Sequence, residues 1–89
     1  MPFEKLQLSE DVVAREVGGE TILLDLASGK YFGLNAVGGR FWQLLESGLD
    51  SDQARDALLA EFEVDAGQLD RDLTALIGDL RESGLVSAE

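Results

Sequence analysis

The chain has no cysteine and no histidine among its 89 residues. Without cysteine there is no disulfide framework and no thiolate metal site. Without histidine the commonest general base and the commonest metal ligand are both missing. Proline occurs once, at Pro2, and cations number only 7 against 18 acidic residues. The resulting net charge of −11 repels phosphate, which sets nucleic acid and anionic membrane surfaces aside as partners. An acidic surface resists aggregation, and it suits a partner that carries basic residues. No apolar run approaches the roughly 20 residues needed to span a bilayer. The opening MPFEKLQLSE lacks the cationic start and apolar stretch of a secretory signal. The cytoplasm is the expected compartment.

What the chain does hold is material for one core. Hydrophobic residues make up 45% of it, enough to fold, while the length leaves no room for a second core of useful size. A single domain over residues 1–89 is expected, with its core at about 11–86. Residues 1–10 admit either a frayed end or a short first strand. Asp11 to Glu16 is partly β-branched and suits a strand, and Gly18-Gly19 marks a turn. Thr21 to Leu26 suits a second strand, Ala27-Ser28-Gly29 a tight turn, and Lys30 to Leu34 the closing strand of a hairpin. Alternation sends Tyr31 and Phe32 to opposite faces, one ring to the core and one to the surface.

Three helices follow. Asn35 is a good N-cap for a helix over Ala36 to Ser47, with Val37, Phe41, Leu44 and Leu45 on one face. Trp42 flanks that stripe and is expected to be partly buried. Gly38 and Gly39 are poor helix formers and suggest that another backbone comes close. Gly48 suits the helix end. Asp50 with Gln53 has the form of a capping box, and Asp65 with Gln68 repeats it. The second helix runs to about Phe62 and buries Ala54, Ala57, Leu58 and Phe62. The third runs to about Ser83, with a stripe of Leu69, Leu73, Leu76, Ile77 and Leu80. Leu85 and Val86 are placed to fold back onto the body.

Catalytic candidates are few. Asp72 and Asp79 share a side of the third helix two turns apart, near Asp70, and paired carboxylates can serve acid–base work or bind a hard cation. A solvated helix face, with Arg71 and Arg81 nearby, accounts for them as well. Asp50-Ser51-Asp52 lacks the alternating oxygens and closing glutamate of a calcium loop, and Asp65-Ala66-Gly67 lacks the glycines and lysine of a phosphate loop. Strands followed by three helices also suit a DNA-binding winged helix in a small regulator. The acidic outer side of the third helix speaks against entry into a groove lined by phosphates.

The run Leu24-Asp25-Leu26-Ala27-Ser28-Gly29-Lys30-Tyr31-Phe32-Gly33-Leu34-Asn35-Ala36-Val37-Gly38 resembles the PqqD-like family. These are the leader-binding domains, or RiPP recognition elements, of pathways that modify ribosomally made peptides. Phe62-Glu63-Val64-Asp65 through Leu80, with Gly84-Leu85-Val86, is similar to the family's last helix and its ending. The resemblance covers roughly Val17 to Val86. It is strongest to the discrete leader-binding partner of lasso-peptide pathways, where a separate transglutaminase-like leader peptidase and a cyclase complete the work. A pyrroloquinoline quinone peptide chaperone with a radical SAM partner is the alternative within the family.

The resemblance implies an α+β, winged helix-turn-helix-like fold: a three-stranded antiparallel sheet followed by three helices. It implies a non-catalytic protein without a cofactor. A precursor's leader would add as a strand to the edge of the third strand, in a groove walled by the third helix. Main-chain hydrogen bonds then supply affinity and side-chain pockets supply specificity. Carried over to this sequence, Lys30, Tyr31, Phe32, Gly33 and Leu34 form the pairing strand. Leu69, Asp72, Leu73, Leu76 and Leu80 line the helix wall, several of these leucines serving the core as well. Asp72 would meet a basic leader residue. The partners implied are the precursor leader and a leader peptidase or other modifying enzyme, and the open edge permits a homodimer through paired sheets.

Overall fold

The structure, a computed structural model, describes residues 6–88. The sequence expectations for residues 1–5 therefore lie outside the described residues. In chain order the elements are strands β1 (Leu6–Leu8), β2 (Val12–Val17), β3 (Glu20–Asp25) and β4 (Lys30–Leu34), helices α1 (Ala36–Glu46), α2 (Ser51–Glu61) and α3 (Ala66–Glu82), and strand β5 (Val86–Ala88).

Alternation builds the sheet. β2, β3 and β4 pair antiparallel in that order, with Ala14 opposite Leu23 and Leu23 opposite Phe32. These three side chains belong to the core face, where Leu23 is fully buried and Ala14 and Phe32 pack against the buried cluster. Their neighbours Val13, Leu24 and Tyr31 face the other way, and Tyr31 is 74% exposed. The expected division of the two rings holds: Phe32 packs on the core and Tyr31 faces water. The β2–β3 turn is Gly18-Gly19, with φ of 59° and 86°. Two consecutive positive φ values give the twist that a two-residue hairpin needs. The β3–β4 turn is wider than expected because β3 stops at Asp25 and leaves Leu26 in the turn, 60% exposed. Asp25 organises that turn: its carboxylate accepts from the Ala27 N–H at 3.1 Å and the Ser28 hydroxyl at 2.8 Å.

The helices start where their caps put them. Asn35 accepts from the Gly38 N–H, Asp50 from the Gln53 N–H, and Asp65 from the Gln68 N–H. Only the Asp50 cap is reciprocal, with Gln53 returning a bond to the cap backbone. At Asp65 the expected second box is not made, because the Gln68 amide turns to Asp72 and Arg71. The core gathers Leu23 and Leu34 from the sheet, Phe41, Leu44 and Leu45 from α1, Leu58 from α2, and Leu69, Leu73, Ile77 and Leu80 from α3. Each such side chain contributes about 1.5–3 kcal/mol on burial.

Three expectations need correction. Trp42 is not a partly buried flank: it is 2% exposed and among the largest fully buried side chains. Phe62 is only half-buried, because α2 ends at Glu61 and Phe62 is its extended C-cap; Ala57 is half-buried too. At Gly39 the close neighbour is a side chain, not a backbone: Thr21 of β3 occupies the space where a Cβ would sit. Leu6–Leu8 form the short first strand that was one of two expectations for this end, and Leu85 and Val86 fold back into the core as expected, but the pairing of the two ends was not anticipated. β1 pairs antiparallel with β5, Leu6 opposite Ala88 and Leu8 opposite Val86, so a two-stranded ribbon ties the start of the described chain to its end. No helix among the described residues is long and apolar enough to cross a membrane.

Candidate functional site: an open strand edge beside a helix

Among the described residues β4 is paired on one side only, with β3, and its other edge is open. β3 is central, and the chain leaves β4 through Asn35 directly into α1. The open edge exposes backbone N–H and C=O groups without strand partners, and Lys30 to Leu34 contains no proline to interrupt them. α3 runs beside it, and between them lies a cavity of about 470 Å³. Its strand wall is Phe32, Gly33 and Leu34, and its helix wall is Gln68, Leu69, Asp72, Leu73, Ala75, Leu76 and Asp79. Asn35, Val37 and Gly38, at the start of α1, and Val64, just before α3, complete the lining.

Seven of the ten residues expected at a site fall on this cavity: Phe32, Gly33, Leu34, Leu69, Asp72, Leu73 and Leu76. They differ in depth. Leu69 and Leu73 are almost wholly buried and form its floor, while Leu76 is half-buried and Asp72 is exposed on the rim. Lys30 and Tyr31 lie further along the strand, on a smaller hollow of about 290 Å³ shared with Asp25, Ser28, Glu82 and Ser83. Leu80 lies in neither; it is 0% exposed and belongs to the core. Its place on the stripe could not separate it from its neighbours, because the apolar face of α3 serves both core and cavity.

Sequence reasoning missed Val37, Val64 and Asp79. Val37 was assigned to the core stripe of α1, where it is in fact half-buried. Val64 is 37% exposed in a short linker with no periodic pattern to mark it. Asp79 had been paired with Asp72 by spacing but was not placed beside a strand.

The carboxylates of α3 divide into two kinds. Asp70 faces α2, where the Arg55 guanidinium donates from Nε at 2.7 Å and from Nη2 at 3.1 Å. Those bonds hold the Asp70 carboxyl below the ordinary aspartate value and raise Arg55 in turn. Asp72 accepts instead from the neutral Gln68 Nε2 at 2.8 Å, and Arg71 Nη2 donates to the Oε1 of the same Gln68 at 3.1 Å. Among the described residues no lysine or arginine lines the cavity, and no ion pair reaches Asp72 or Asp79. Among the described residues no group of three or more carboxylates is placed to hold a metal ion. An open edge, an apolar floor and an acidic rim can receive an extended peptide.

A family model described as coenzyme PQQ synthesis protein D (PqqD) matches residues 20–86. Among solved structures, the chain is similar to TbiB1 in complex with the TbiA(beta) leader peptide. The identity is 38% over 93% of this chain and 96% of that one, with a TM-score of 0.82. It is also similar to a lasso peptide synthetase B1 complexed with the leader peptide, at 28% identity over 93% of this chain and 98% of the other, with a TM-score of 0.78. No curated protein matches the chain.

Proposed function

The chain belongs to the PqqD family, and on that premise we propose that it is a non-catalytic binding module for the leader of a ribosomally made precursor peptide. The leader adds as a strand to the open edge of β4 and lies against α3. It is thereby delivered to a partner leader peptidase in a lasso-peptide pathway. The single observation that carries this reading is the unpaired β4 edge facing an apolar-floored groove. The two similar structures, each with a leader peptide bound, support it. Strand addition takes its affinity from main-chain hydrogen bonds, and alternate leader side chains enter the groove. Phe32, Gly33 and Leu34 supply the pairing strand, Leu69 and Leu73 the floor, and Leu76 and Asp72 the outer wall. Holding the leader raises the effective concentration of the core peptide at the peptidase, without chemistry of its own.

The test is a fluorescence-polarisation titration with labelled leaders from precursors encoded beside this gene. Binding at micromolar or tighter is expected. Leaders N-methylated at alternate amides should weaken in one register and not in the other, because only every second amide points at β4. L76N, which places an uncharged polar amide over the apolar floor, should weaken binding about tenfold or more while the protein stays folded. No binding by any local leader would overturn the reading. Leader cleavage in a reconstituted system that runs equally well without this chain would overturn the delivery role.

A second reading within the family is a peptide chaperone of pyrroloquinoline quinone synthesis with a radical SAM partner. The description of the matching family model favours it, and the two similar structures favour the lasso pathway. The same titration, run with precursors of both kinds, separates them.

A further inference from the structure

We infer that Asp72 and Asp79 make the groove selective for leaders that carry lysine or arginine on the side facing α3. This inference rests on the strand-addition reading and deepens it by naming a chemical requirement on the leader. The groove holds two carboxylates and, among the described residues, no lining cation. The third carboxylate of that helix stretch, Asp70, is neutralised within the fold by Arg55, and it lies outside the groove. Among the described residues Asp72 and Asp79 have no such partner, and the one side chain bonded to Asp72 is the uncharged Gln68 amide. A strand laid over them excludes water from one side of each carboxylate, so a neutral or acidic leader side chain there leaves a desolvated, uncompensated charge. A lysine or arginine compensates it, with its aliphatic stem lying along the apolar lining at Leu76 and Val64.

Spacing separates this from a metal site. Seven residues of helix carry Asp79 about 10 Å along the axis from Asp72. A hard cation binds oxygens at about 2.3–2.6 Å, so one ion cannot bridge both carboxylates. An extended peptide advances about 3.3 Å per residue and turns alternate side chains to the same face. Two long cationic side chains placed two or four residues apart therefore reach both carboxylates from one strand.

The experiment needs no known leader. A randomised peptide display library is selected against the wild-type chain, against D72N/D79N, and against E46Q, which removes an exposed carboxylate of α1 outside the groove. The expected wild-type pool is enriched in lysine or arginine at one or two positions of fixed spacing. That enrichment disappears with D72N/D79N and persists with E46Q. For individual selected peptides, each single variant should weaken binding about two- to fivefold, the range for partly exposed ion pairs, with the difference shrinking as salt rises. Recovered binders without cationic enrichment, or enrichment that persists in D72N/D79N, would overturn the inference and leave strand addition standing. Enrichment lost equally with E46Q would assign it to the overall net charge, which also overturns it. A pool that never enriches against folded protein would overturn the strand-addition reading and this inference with it.

Discussion

Gly39 sits in α1 against β3, and a Cβ built there would lie 3.0 Å from Thr21 Cβ and closer still to its hydroxyl. Thr21 is itself buried, at 7% exposure. Gly78 sits in the middle of α3 with nothing within 4 Å of the same hypothetical atom. The same substitution should therefore have opposite signs. G78A removes the backbone-entropy cost of a helical glycine and should stabilise by about 0.5–1 kcal/mol. G39A gains as much from propensity, but overpacking costs typically about 1–3 kcal/mol, so a net loss is expected. At about 4–8 °C per kcal/mol for a domain of this size, thermal melts resolve both. Equal gains in the two variants would contradict the packing seen at Thr21. The glycines were conspicuous in the sequence, but only the fold distinguishes the one that touches a neighbour from the one that does not. Trp42 carries the same lesson: its helical angle beside Phe41 was legible, and its burial depended on the sheet above it.

At the scale of elements, Arg55–Asp70 and Arg40–Glu61 are ion pairs that join helices among the described residues. Arg55 of α2 holds Asp70 of α3, and Arg40 of α1 holds Glu61 at the end of α2, with Nε–H donating at 2.7 Å in each. The Arg55 hydrogen bonds keep the Asp70 carboxyl below its ordinary value, and those from Arg40 do the same for Glu61. A carboxyl with a depressed folded value stabilises the fold above its unfolded value, near pH 4 for aspartate, and loses that contribution as pH falls through the folded value. Wild type should therefore be more stable than D70N at pH 6. The gap should close as pH falls through and below about 4. Melts of the two proteins across pH 6 to 2 check this, and a pH-independent gap would mean that Arg55 contributes through packing alone. Both pairs are part-exposed, so the gap should be small and should shrink with salt.

The elements themselves were largely legible, because caps and periodicity are local signals. Asn35, Asp50 and Asp65 start their helices as expected, and the strand alternation separated Tyr31 from Phe32. The β1–β5 ribbon was not legible. Three residues are too few for a period, and each strand's partner is about 80 residues away. The Asp65 box failed because of a competing side chain: Gln68 Oε1, the acceptor that the box needs, takes its bond from Arg71 Nη2 instead.

At the scale of the whole molecule, open edge and net charge act against each other. An unpaired strand edge invites pairing with a second copy. That pairing would set two chains of net charge −11 side by side. It would also bring two groove rims together with Asp72 and Asp79 on each and no cation in either lining. The screening length is about 10 Å at 0.1 M salt, so much of this repulsion survives at the distances of a shared sheet. The groove was half legible for the same reason that the charge is informative. Spacing marked the apolar stripe, and the family resemblance set its leucines and Asp72 beside the strand, but core and groove share that one stripe, and only the position of β4 tells Leu76 from Leu80. The protein should sediment as a monomer at tens of micromolar in dilute salt. Any dimer should grow as salt rises, and a bound leader should disperse it, because both compete for the same backbone groups on β4. A dimer that is strongest in low salt, or that persists with leader bound, would move self-association away from this edge. The exposed outer face of the sheet around Leu24 and Tyr31 would then be the first place to look for it.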